Sequence, residues 1–178
     1  MKTKNIIITL LLSFIIAIGL SSCASKDPKL PQSSFTATVT VASNSYKVIH
    51  NGKTITTITC LQPQQLKGFT YNYCGNQLTL KYNSLSYTPS SASLPISKYV
   101  TSLHSTLQDI SNTSAITLTD TSTDTSVYST RTADITTETD TGKITKITNK
   151  ATGDAYIFSY EWLSKKYVEN RHFYWWNL

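Results

Sequence analysis

Glycine, histidine and arginine are scarce in this chain: six glycines, three histidines and two arginines (Arg131 and Arg171) among 178 residues. The glycines stand singly, so there is no Gly-rich loop to cradle a phosphate. No Ser sits in a Gly-x-Ser-x-Gly elbow. No Cys-x-x-Cys occurs, and His50, His104 and His172 are far apart, which argues against a zinc site. Charged residues make up only 15% and form neither a basic stripe nor an arginine cluster, which argues against a nucleic-acid partner. The longest apolar run, residues 6–20, is about 15 residues. That is short of the roughly 20 a helix needs to cross the hydrocarbon core. The carboxylates nearest to one another, Asp134, Glu138 and Asp140, lie in a turn-rich polar stretch and read as a solvated hairpin. Cys60 and Cys74 have no basic neighbour to lower a thiol pKa. No catalysis, cofactor or metal is expected.

What is present begins at the N-terminus. Lys2 and Lys4 precede the apolar run, and Leu20-Ser21-Ser22-Cys23 closes it. Basic residues, a short apolar run and small residues in that order make a secretory signal. The Cys directly after Leu-Ser-Ser makes it resemble a bacterial lipoprotein signal. That resemblance implies that residues 1–22 are removed and that the Cys23 thiol carries a diacylglycerol. The mature protein would hang from the outer face of a bacterial cell membrane. Residues 23–34, with Pro28 and Pro31, read as a flexible tether. Residues 35–178 read as one domain, a length sufficient for a core. The formal charge of +6 loses Lys2 and Lys4 with the signal and falls to about +4, suited to an anionic surface. Cys60 and Cys74 then remain as an even pair in an oxidising compartment. A disulfide between them and two separate strand thiols are both open.

The domain reads mainly as strands, favoured by its 11 tyrosines and its abundant Thr, Val and Ile. Phe35, Ala37, Val39 and Val41 alternate with Thr36, Thr38 and Thr40. A turn at Asn44-Ser45 leads to Tyr46 and Val48, and Asn51-Gly52 signals a hairpin into residues 53–61. Residues 62–68 break the pattern with one helical turn, Leu66 pointing inward. Phe69, Tyr71 and Tyr73, a turn at Gly75-Asn76, then Leu78, Leu80 and Tyr82 make a second hairpin. Later strands are expected in residues 115–119, 126–132, 133–139 and 143–149, and around Tyr156 and Phe158. One helix is predicted over residues 97–111, with Val100, Leu103, Leu107 and Ile110 as its apolar stripe and Pro95 at its start. His104 lies beside that stripe as an ordinary flank histidine. The aromatic end, residues 172–176, is expected to pack on the domain.

Strands, one helix, then strands give an α+β layout. Two segments carry a resemblance. Residues 59–71, TCLQPQQLKGFTY, look like a strand–turn–aromatic segment of small Gram-positive lipoproteins. Residues 140–147, DTGKITKI, look like a late hairpin of LolA-like proteins. With the meander and central helix, the whole mature domain resembles the LolA/LppX type. That implies a strongly curved antiparallel sheet, an incomplete barrel, wrapped on one helix around an apolar hollow. It also implies a hydrophobic ligand, a lipid or acyl chain, or an extracytoplasmic protein partner. The residues expected to line the hollow are Val39, Val48, Phe69, Tyr71, Leu80 and Tyr82 on the sheet, facing Leu103 and Leu107 on the helix.

Overall fold

A computed structural model describes residues 27–75, 77–89 and 97–160. The lipid-attachment expectation at Cys23, the start of the helix at Pro95 and the aromatic end at residues 172–176 lie outside them.

Eleven strands form one antiparallel sheet: β1 (Ser34–Val41), β2 (Asn44–Asn51), β3 (Ile55–Gln62), β4 (Thr70–Cys74), β5 (Gln77–Tyr82), β6 (Leu85–Tyr87), β7 (Thr117–Thr121), β8 (Thr125–Ser129), β9 (Ala133–Glu138), β10 (Ile144–Asn149) and β11 (Ala155–Ser159). One helix, α1 (Lys98–Ser111), separates β6 from β7. The strand order is β6-β5-β4-β3-β2-β1-β11-β10-β9-β8-β7. Two meanders therefore meet where the first strand pairs the last, Val39 opposite Phe158. Among the described residues the sheet is open, with β6 and β7 as its two edges. The α+β class holds.

Alternation decides which face is buried. Ala37, Val39 and Val41 on β1 are buried between exposed or half-buried threonines. Tyr46, Val48 and His50 on β2, and Thr56, Ile58 and Cys60 on β3, continue the same face. Ile135, Ile144, Ile147, Tyr156 and Phe158 carry it into the second meander. Helix α1 lays Val100, Leu103, Leu107 and Ile110 onto that face, all buried, as their spacing predicts.

The sheet curls around the helix. Ser102 accepts a hydrogen bond from Asn149 Nδ2 of β10 at 2.7 Å. His104, two residues on, stacks on Tyr73 of β4. In the sheet order β4 and β10 are five strand steps apart, about 24 Å if the sheet were flat. A helix is only about 10–12 Å across. Both contacts are met only because the strands bend around α1.

Several local expectations shift. The first turn is Ala42-Ser43, not Asn44-Ser45: Val41 pairs with Asn44, and Ala42 takes φ +49°. The break after β3 is a short 3-10 turn (Gln64–Leu66), but Leu66 points outward and is 47% exposed. The strand expected in residues 115–119 is β7, two residues later. Strand β6 is an addition that the sequence reading did not contain. The expected tether is partly seated. Lys29 N–H donates to the Thr139 carbonyl at 3.0 Å, Gln32 N–H donates to the Gly142 carbonyl at 2.8 Å, and Pro31 is buried.

The two cysteines are free. Cys74 pairs with Ile55 at one end of β3, while Cys60 lies five residues along, about 16 Å away. Cys60 shares the buried face, whereas Cys74 follows buried Tyr73 and faces the other side. The disulfide alternative is set aside by that register.

Candidate functional site

The eight residues expected to line one hollow divide into two groups. Val39, Val48 and Leu107 are fully buried and Leu103 is 1% exposed. They fill the interior between sheet and helix, so there the hollow is occupied by the chain's own side chains. Phe69, Leu80 and Tyr82 line an open groove of about 310 Å³ instead, together with Leu85, Tyr87, Lys81 and Ser86. Tyr71 joins the two groups. It is 8% exposed, and its ring lies 5.2 Å from that of Phe69.

Register explains why a groove forms there. Residues directly opposite on neighbouring strands share a face. Tyr71 pairs with Leu80, Leu80 with Tyr87, and Tyr82 with Leu85. The groove is therefore the core face itself, continued past the helix onto β5 and β6. Cover runs out along it: Tyr71 is buried, Leu80 is half-buried, and Tyr82, Tyr87 and Leu85 are 40%, 56% and 72% exposed. The Phe69 and Tyr82 rings stack across the floor at 6.1 Å. The wall is almost wholly apolar. Among the described residues β6 ends the sheet, and no described strand pairs with its outer edge. The sequence reading missed Leu85 and Tyr87. Their signal was the two-residue spacing Leu85-x-Tyr87 after the Asn83-Ser84 turn, the period of a strand.

A second cluster lies beneath the C-terminal half of α1. His50 is 1% exposed, with Nδ1 2.9 Å from Thr56 Oγ1 and Nε2 3.0 Å from Ser111 Oγ. Ser111 already donates its hydroxyl proton to the Leu107 carbonyl at 3.0 Å. Its oxygen must then accept from His50 Nε2–H, which leaves Nδ1 as acceptor for the Thr56 hydroxyl. Burial, and secondarily His104, lower the His50 pKa to about 4. His104 stacks on Tyr73 with centroids 3.6 Å apart, and burial lowers its pKa too. Its Nδ1 is buried without a hydrogen-bond partner. Burial pushes the Tyr73 hydroxyl up to about 12. His50 ties β2 and β3 to the helix as donor and acceptor, and His104 meets the sheet through its ring stack on Tyr73.

The carboxylates set aside in the sequence stay with the surface. Asp134 pairs with Lys150 at 3.2 Å and accepts from Ser129 Oγ, and Glu138 accepts from Thr141 Oγ1. Among the described residues no three His, Cys, Asp or Glu side chains come together to hold a metal ion. Among the same residues no helix is long and apolar enough to cross a membrane.

No protein-family profile matches the chain, and no curated protein does. Among solved structures, the chain is similar to a LolA superfamily protein, NE2245 from Nitrosomonas europaea. The identity is 11% and the TM-score 0.33, over 74% of this chain and 67% of that one. That protein is of the superfamily whose late hairpin residues 140–147 resemble.

Proposed function

We propose that this protein is a non-catalytic extracytoplasmic lipoprotein that holds an acyl chain in the groove on β4, β5 and β6. Acyl chains on Cys23 would anchor it to the outer face of a bacterial cell membrane, in keeping with the signal at residues 1–22. The observation that carries the reading is the groove. A core face built to be covered runs out past its helix with Tyr82, Leu85 and Tyr87 open. Its volume of about 310 Å³ is at the lower end of ligand pockets, and its walls are apolar. Each buried CH₂ contributes about 0.8 kcal/mol. About ten of them would supply roughly 8 kcal/mol, against about 4 kcal/mol or more for association. Such a groove suits reversible holding of one chain.

Uptake of a fluorescent fatty acid tests this. Leu85 is exposed, so Leu85→Asp should leave the unfolding midpoint unchanged and cut uptake at least several-fold. Equal uptake by the two proteins would remove the groove from the account.

One observation favours a second reading. Among the described residues β6 is a sheet edge with alternate apolar side chains, the form to which a partner's extended strand can add. In that reading the same face binds an extracytoplasmic protein. Backbone amides of β6 would then gain exchange protection from the partner and not from lipid.

A further inference from the structure

We infer that the end of the sheet capped by residues 29–32 is the surface this protein lays against a lipid bilayer. The inference rests on the acyl anchor at Cys23 proposed above. Residues 29–32 act as a strap. Two backbone bonds tie Lys29 and Gln32 to Thr139 and Gly142. Tyr128 Oη donates to the Lys29 carbonyl at 2.9 Å, and Gln32 Nε2 donates to the Thr141 carbonyl at 3.3 Å. Gly142 fits the strap closely. Its φ is +68°, and a Cβ there would collide with the Leu30 carbonyl oxygen.

The strap shortens the leash. Lys29 is six positions beyond Cys23, against eleven for the first residue of β1. At about 3.3–3.6 Å per extended residue, the reach falls from roughly 40 Å to roughly 20 Å. The β9–β10 turn that holds the strap must then stay within about 20 Å of the headgroups. So must the β7–β8 turn, because Thr139 N–H donates to the Asp124 carbonyl at 3.0 Å. The β2–β3 turn joins them through Gly52 N–H on the Ser33 carbonyl at 2.7 Å. Leu30, 55% exposed on the strap, adds an apolar contact at this end. Its charges, Lys29, Lys53 and Lys143 against Asp124, Glu138 and Asp140, offset one another. Leash length and not charge attraction therefore sets the pose, which should be indifferent to salt.

The test uses the mature chain coupled through Cys23 to a maleimide lipid in phosphatidylcholine vesicles. Cys74→Ser removes the exposed thiol, and buried Cys60 does not couple in the native state. A donor dye is placed on an azido residue at position 124 or at position 84, in the turn between β5 and β6. An acceptor dye sits in the headgroups. Energy transfer should be several-fold higher from position 124 than from position 84, at low and high salt alike. Gly142→Val should release the strap and bring the two values within about twofold of each other. Equal transfer from the two positions in the parent would overturn the inference, and that comparison decides alone if Gly142→Val does not fold. Because the lipid is attached chemically, failure of acylation in cells would defeat the anchor reading without altering this result.

Discussion

Acidification should weaken this domain through its buried histidines, and the size of the His50 share follows from where that ring sits. The ring is 1% exposed under α1, bonded on both nitrogens, and no carboxylate takes part in either bond. Its pKa in the fold is about 4, against 6.5 when unfolded. Between those values the unfolded chain binds a proton that the native chain does not. Stability is therefore full above pH 6.5 and falls as pH drops toward 4. At 1.36 kcal/mol per pKa unit the loss is about 2 kcal/mol by pH 5 and about 3 kcal/mol by pH 4. Solvent screening gives no discount at such burial. The structural cost falls on Nδ1, where a new proton would meet the Thr56 hydroxyl that now donates to it. Urea unfolding at pH 7.5, 5 and 4 of the parent and of His50→Gln checks this. The variant cannot titrate there, and every other ionisable group, His104 included, is common to both proteins. The parent should lose about 3 kcal/mol more than the variant by pH 4. Identical losses would refute the reasoning and place His50 in a solvated site.

Other outcomes follow from the same packing. Leu103→Ala and Leu107→Ala should each cost about 2–5 kcal/mol in denaturant unfolding, as deletions from a filled core do; losses well under 1 kcal/mol would mean α1 is peripheral. Cys74 should react with a thiol reagent in the native protein, and Cys60 only after unfolding, without any reductant; protection of both in the unfolded, unreduced chain would mean a disulfide. Replacing Cys23 with Ser should leave an unprocessed precursor that takes up no labelled fatty acid; equal label in both would end the anchor reading.

The architecture was legible where hydrophobic alternation is clean. Val39, Val48, Ile58 and the α1 stripe are buried where period-2 and period-3.6 patterns put them. The second meander was harder to read, because much of its interior is hydroxyl. Ser126, Thr137 and Thr139 are fully buried, which their composition does not suggest. Each is satisfied locally: Thr139 donates to the Ser122 carbonyl at 3.0 Å, and Ser126 and Thr139 share a hydrogen bond at 3.0 Å. Ala42 at positive φ hid the first turn, since that conformation ordinarily selects Gly or Asn. The candidate site was half legible. Alternation places Val39 and Leu80 on one face but cannot say which of them α1 covers. That depends on a 14-residue helix spanning only part of an 11-stranded sheet. The strap was unreadable for a related reason: each of its bonds ends on a backbone carbonyl, which leaves no mark on composition.

Photo-crosslinking with a fatty acid that carries a diazirine near its chain end tests the central claim most directly. Peptide mapping of the adducts should find them on Tyr82, Leu85 and Tyr87, with competition by unlabelled fatty acid. Adducts spread evenly over the surface, or confined to residues remote from β5 and β6, would contradict an acyl chain held in this groove.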